Sequence, residues 1–126
     1  MLRYLLDTNI SIHVLKHKPE SARRQFNRHA PHLSTSSVVM AELRYGAEKS
    51  ARPTENRDAL EALAARLTVL PFDDRAADHY GRIRADLERA GRPIGPYDLM
   101  IAAHARSLGL TLVTNNTREF ERVPGI

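Results

Sequence analysis

The chain opens Met1-Leu2-Arg3-Tyr4-Leu5-Leu6-Asp7-Thr8-Asn9, and the reading of this stretch decides the fold. Tyr4, Leu5 and Leu6 form a short apolar run, stopped by an acid and two small polar residues. A run of this length ended by turn formers predicts a buried strand. Asp7 then stands at the strand's carboxyl end, the edge of an open α/β sheet where ligands collect. Three further runs follow at 33–37, 68–72 and 110–113. The last leaves into Thr114-Asn115-Asn116 as the first leaves into Asp7-Thr8-Asn9.

Helical patterns fill the intervals. A short helix is expected over 10–15, capped by Thr8 or Asn9. After a polar break at Lys16-His17-Lys18-Pro19, a second spans 19–29 with Arg23, Arg24 and Arg28 on its exposed side. A third covers 38–49 on Val39, Leu43 and Ala47, with Glu42 in its early part. A fourth, capped by Thr54, covers 55–66 on Leu60, Leu63 and Leu67. Asp73 or Asp74 caps the longest, which runs to about Ala90 and carries Arg75, Arg82 and Arg89 at seven-residue spacing as a basic stripe. Residues 92–97 read as an irregular connector, and Asp98 opens a helix over 99–108 that ends at Gly109. One helical turn and Val123-Pro124-Gly125-Ile126 follow, so a further short strand or tail is expected beyond them. Strands alternate with helices and every strand-to-strand connection is long. That pattern predicts an α/β fold, a three-layer α/β/α sandwich with a central parallel sheet, in a single domain over 1–126.

Composition narrows the function. The chain is long enough for one domain with a real core, and 42% hydrophobic content supports folding. No apolar stretch could span a membrane, no signal-peptide pattern opens the chain, and a cytoplasmic setting is the default. The absence of cysteine excludes disulfides and thiolate metal sites. A net charge of +4 and a pI near 9.8 fit a polyanionic partner, the alternative being a solvated basic surface.

Three acids share a placement. Asp7 ends the first strand, Glu42 lies in the helix after the second, and Asp98 starts the helix before the fourth. A parallel sheet brings strand ends and following helix starts to one side, so the three can converge. Carboxylates of this kind suit Mg²⁺ or Mn²⁺. Each acid also has a plainer reading. Asp7 can be a turn former, Glu42 a surface residue paired with Arg44 or Lys49, and Asp98 a helix cap. His13, His79 and His104 are scattered, and His104 reads as structural.

Four segments carry a resemblance: Arg3 to Asn9, Ser37 to Gly46 (Ser-Val-Val-Met-Ala-Glu-Leu-Arg-Tyr-Gly), Pro96 to His104 (Pro-Tyr-Asp-Leu-Met-Ile-Ala-Ala-His) and Val113 to Asn116. In order and spacing they resemble the motifs of PIN-domain ribonucleases, in particular the VapC toxins of bacterial type II toxin–antitoxin systems. The resemblance implies that Asp7, Glu42 and Asp98 are the catalytic, metal-binding acids. The family often has a fourth acid where this chain has Asn116; Glu119, one turn further on, is the candidate substitute. Thr114 is expected to orient Asp7, with Thr8 and Asn9 in supporting roles. The implied reaction is water attack assisted by Mg²⁺ (or Mn²⁺) on RNA, leaving a 5′-phosphate and a 3′-hydroxyl. The implied substrate is tRNA cut in the anticodon loop, initiator tRNA first. Tyr97, Arg82 and Arg89 are the candidate substrate contacts.

The same resemblance implies inhibition of translation and growth, a VapB-type antitoxin, a homodimer and a toxin–antitoxin hetero-oligomer. Antitoxin docking is expected on the helices over 10–15 and 38–47, through residues such as Leu43 and Tyr45. The alternative is a catalytically weak PIN-fold interaction module. A receiver-like binding domain would need a second acid beside Asp7 and a lysine ending the last strand, and neither is present. A DNA-threading nuclease would need arch elements that the chain lacks.

Overall fold

The computed structural model describes the backbone of residues 1–17 and 20–126, and the side chains outside 16–23. Lys18 and Pro19 of the expected polar break, and the side chain of Arg23, lie outside the described residues. Four strands, β1 (Tyr4–Leu6), β2 (Leu33–Ser36), β3 (Thr68–Leu70) and β4 (Thr111–Val113), form one parallel sheet in the order β3-β2-β1-β4. Leu6 pairs with Thr35 on one side and Val113 on the other. Among the described residues the α-helices between the strands are α1 (Thr8–His17), α2 (Glu20–His29), α3 (Ser37–Glu48), α4 (Pro53–Ala64), α5 (Asp74–Arg89) and α6 (Pro96–Leu108), and α7 (Thr117–Phe120) follows β4.

Period-two alternation in β1 divides the core between the two faces of the sheet. Leu5 packs with Val39, Met40, Leu43, Ile101 and Ala105, whereas Leu6 packs with Phe26, Leu33 and Leu63. These are the outer layers of the expected sandwich. A third cluster, including Ile83, Leu87, Leu99 and Phe120, fastens α5 to α6.

β2 is central yet reads Leu33-Ser34-Thr35-Ser36, all buried. It stays satisfied because its hydroxyls bond to neighbouring groups. Ser34 donates to the Tyr4 carbonyl at 2.8 Å and Thr35 to the Leu6 carbonyl at 2.9 Å. Ser36 accepts from Val38 N at 3.1 Å and so caps α3. Among the described residues no buried side-chain polar atom lacks a partner, as the cost of an unpaired buried dipole requires.

The structure corrects several boundaries. α4 starts at Pro53 and α6 at Pro96, so Thr54 is no cap and the expected connector loses its last two residues to the helix. In both cases proline takes the first turn, where its missing N–H costs nothing. Asp98 therefore lies inside the first turn of α6 and is not its cap. Asp73 caps α5, accepting from Ala76 N at 3.0 Å.

The chain order also fixes where a ligand can sit. β1, β2 and β3 step in one direction, and β4 then returns to the other side of β1. The direction reverses between β1 and β4, and in open α/β sheets the crevice at that reversal is the binding place. Asp7 and Thr114, which leave the carboxyl ends of these two strands, stand at it.

Candidate active site

Asp7 is 1% exposed. Its Oδ1 accepts from Ile10 N at 2.8 Å, so Asp7 itself caps α1, and the expected caps Thr8 and Asn9 are helical residues. The Thr114 hydroxyl donates to Asp7 Oδ2 and accepts from Asn116 N at 2.8 Å. The other acids are held in the same way. Thr8 Oγ1 donates to Glu42 Oε1 at 2.7 Å, tying α1 to α3. Arg44 pairs instead with Glu61 at 2.7 Å, and the Lys49 ammonium lies over the Tyr45 ring, so neither is Glu42's partner. Asn9 is exposed beside this edge.

Glu119 was a candidate substitute for the missing fourth acid, and the structure seats it beside Asp98. Its Oε1 accepts from Gly95 N at 2.9 Å and its Oε2 from Asn116 Nδ2 at 2.7 Å. These bonds, the one from Gly95 first, hold its carboxyl below the usual range. Asp98 moves the other way, up to about 6. Burial is the largest cause, then the charge and hydrogen bond of Glu119, then the charges of Glu42 and Asp7. The Asp98 carboxyl thus lies within electrostatic reach of Glu119, Glu42 and Asp7.

Among the described residues, no three His, Asp or Glu side chains already stand at metal-ligand separation. Thr8, Thr114, Gly95 and Asn116 each donate to a carboxylate of Glu42, Asp7 or Glu119. A carboxylate has about four lone-pair sites, so these bonds leave oxygen capacity unused. The donor set is all oxygen, rich in negative charge and crowded enough to push the Asp98 carboxyl up to about 6. A hard divalent cation that retains part of its water shell fits that chemistry.

The remaining candidates are dispersed. Tyr97, on the first turn of α6 next to Asp98, is 57% exposed. Arg82 and Arg89 lie on the outer face of α5 and each meets an acid of its own helix, Asp78 at 3.1 Å and Asp86 at 3.0 Å. Two of the three arginines of the expected basic stripe are therefore paired with acids of their own helix. Leu43, expected on a docking surface, is buried in the core, because α3 turns that side to β1. His104 is buried with Nδ1 at 2.8 Å from Ser36 Oγ, and His79 Nδ1 accepts from Arg106. Sequence reasoning missed the Thr8–Glu42 bond and the Gly95–Glu119 bond. The Gly95-Pro96 pair was a usable signal for the second, since it marks a helix start whose preceding N–H is open to a carboxylate.

Residues 4–126 match the PIN domain. This chain belongs to the PIN-domain family, among its VapC ribonucleases. It is similar to the tRNA(fMet)-specific endonuclease VapC of Shigella flexneri, 55% identical over 126 residues, covering 100% of this chain and 96% of the relative. The solved DNA-bound VapBC of Salmonella typhimurium is similar at 53% identity and a TM-score of 0.97, over 100% of this chain and 96% of that one. VapBC2 of Rickettsia felis bound to a promoter DNA fragment follows at 37% identity and a TM-score of 0.94, covering 99% and 96%. PIN-domain VapC nucleases depend in general on a divalent metal, the class of ion that the acid cluster of this PIN domain suits. No helix among its described residues is long and apolar enough to cross a membrane.

Proposed function

We propose that this PIN domain is the toxin of a type II toxin–antitoxin pair, an Mg²⁺-dependent endoribonuclease, with Mn²⁺ able to replace Mg²⁺. Its substrate is tRNA cut in the anticodon loop, initiator tRNA foremost, and the cut leaves a 5′-phosphate and a 3′-hydroxyl. Cleavage stops translation and growth. A VapB-type antitoxin neutralises it in a hetero-oligomer built on a toxin homodimer in the cytoplasm. One observation carries the reading: Asp98 is crowded by Glu119, Glu42 and Asp7 at the reversal point of the sheet. The near full-length likeness to an endonuclease acting on tRNA(fMet) supports the choice of substrate.

In this reading Asp7, Asp98 and Glu42 hold the ion, and Glu119 with Asn116 completes the acidic side. Bound there, the ion neutralises phosphate charge and lowers the pKa of water. The chain's own residues prepare that place. Thr114 fixes the Asp7 carboxylate from one side and Ile10 N from the other. Thr8 holds Glu42 toward the same edge. Gly95 and Asn116 keep Glu119 ionised, so that it accepts a hydrogen bond from protonated Asp98; a cation held there would favour the ionised form of Asp98.

An interaction module without catalysis is the competing reading, and Asn116 is its best argument. Against it, Glu119 returns the charge that Asn116 withholds and is bonded to that same amide. The deciding experiment is cleavage of total tRNA with Mg²⁺ by the wild type and Asp7→Asn, with and without EDTA. A discrete 5′-phosphorylated fragment, lost in Asp7→Asn and in EDTA, is expected. No cleavage of any RNA by folded, antitoxin-free protein would establish the interaction module instead.

A further inference from the structure

Of four tyrosines and three phenylalanines, only Tyr45 and Tyr97 are exposed, at 66% and 57%. Both rings line one groove of about 760 Å³, which reaches the acid cluster through Thr8 and Glu42. Its floor is apolar, from Ile12, Leu15 and Leu60. Along α3 and its C-terminal cap residue Lys49, Glu42, Tyr45 and Lys49 fall at i, i+3 and i+7, one helical face, so acid, ring and cation stand in a row roughly 10 Å long at 1.5 Å per residue. The Lys49 ammonium lies 4.8 Å from the centre of the Tyr45 ring. It covers one side of the ring and leaves the rest of this exposed side chain open.

A single exposed ring is ordinary on a protein surface, whereas two in one groove form a patch that a ligand can use. These two, flanking an apolar trough that leads away from a phosphate-cleaving centre, match single-stranded RNA. Unstacked bases lie on aromatic faces, and the backbone takes the cation. A protein helix would use the apolar floor but has no need of a lysine capping a ring beside a carboxylate cluster. We propose that Tyr45 and Tyr97 are stacking platforms for bases next to the scissile phosphate, and that Lys49 takes the backbone beyond the Tyr45 base. Tyr97, one residue before Asp98, serves the base nearest the cut. Tyr45, one turn along α3 from Glu42, serves the next one outward. Specificity for an open loop follows, since paired bases cannot leave their stack to reach these rings. The proposal rests on the ribonuclease reading.

The test compares wild type with Tyr45→Ala, Tyr45→Phe and Lys49→Ala on an anticodon stem-loop of initiator tRNA, and repeats each with one loop nucleotide at a time made abasic. Tyr45→Ala is expected to raise KM about 10-fold with kcat within about twofold, the loss of one stacked base. Tyr45→Phe keeps the ring and stays near wild type. At one abasic position, wild type and Tyr45→Ala become equal. Thermal unfolding checks folding, which an exposed position should leave unchanged. An unchanged KM in Tyr45→Ala overturns the proposal. An unchanged KM together with weakened inhibition by a VapB-type antitoxin assigns the groove to the antitoxin. If wild type cleaves no RNA, the ribonuclease reading falls and the stacking proposal with it. Cleavage by wild type with no effect at Tyr45 removes the stacking proposal alone.

Discussion

Asp7 caps α1 with one oxygen and offers the other to the proposed site. Oδ1 caps α1 through Ile10 N, and Oδ2 is held by Thr114. Asparagine caps about as well as aspartate, so Asp7→Asn separates the two jobs. Its unfolding free energy should stay within about 0.5 kcal/mol of wild type at neutral pH, while cleavage disappears; a variant that unfolds would show that the charge is structural. Thr114→Val removes only the orienting hydroxyl. A loss of about 10- to 100-fold in activity or metal affinity is expected, the range for partners that orient ligands, and isothermal titration with Mn²⁺ reads it. Asp98 supplies a pH prediction. Its carboxyl is raised from 3.8 to about 6 by burial and then by Glu119, Glu42 and Asp7. In metal-free protein the unfolded chain releases this proton first. The stability that the protonated group contributes is therefore complete below 3.8 and lost as pH rises through about 6. Urea unfolding of wild type against Asp98→Asn should show the gap moving in favour of the variant across that window, and saturating Mg²⁺ should cancel the movement. A gap independent of pH would mean that the acids do not press on one another.

At the scale of elements, α3 and α6 carry Glu42 and Asp98 and must be held at a fixed separation. The buried Ser36–His104 pair does this: Ser36 caps α3, and its hydroxyl meets His104 of α6. Ser36→Ala removes a cap and leaves a buried ring nitrogen unpartnered, so it should cost about 1–3 kcal/mol. Burial lowers the His104 pKa below 6.5, against the opposing charge of Asp73. Neutral His104 therefore contributes stability that is present above pH 6.5 and is lost as pH falls through its folded value. His104→Gln should flatten that part of the urea midpoint's pH profile, and an unchanged profile would place the titration elsewhere. These elements also show what the sequence could and could not tell. Tyr4-Leu5-Leu6 was legible because an apolar run ended by Asp-Thr-Asn has few other uses in a small α/β chain. β2 was faint, because Ser34 and Thr35 owe their burial to carbonyls of β1 thirty residues away. The convergence of Asp7, Glu42 and Asp98 was legible from parallel topology. The engagement of Glu42 by Thr8 was not, because a bond across 34 residues leaves no periodic trace.

Charge is the property in which the whole molecule departs most from its composition. Nineteen Lys and Arg against fifteen acids suggest a broad basic footprint, and the seven-residue spacing on α5 suggests where it would run. The structure instead gives Arg44, Arg52, Arg57, Arg82, Arg84 and Arg89 a carboxylate each within 3.4 Å. Exposed pairs of this kind contribute little to stability, but they cancel the local field that would draw in a polyanion. With six arginines paired and an acid cluster at the proposed site, few phosphates are expected to be neutralised at once. If four are the ceiling, the slope of log K for single-stranded RNA against log salt is no steeper than about −3. In the proposed site, stacking and a bound cation would then supply most of the affinity. Fluorescence anisotropy with Asp7→Asn and a labelled anticodon stem-loop between 50 and 300 mM KCl, roughly the range where counterion release dominates, measures that slope. A shallow slope with binding that survives at the upper end is the expected result. A slope of about −6 or beyond would return the leading role to the arginines, with the pairs on α5 opening to take phosphate.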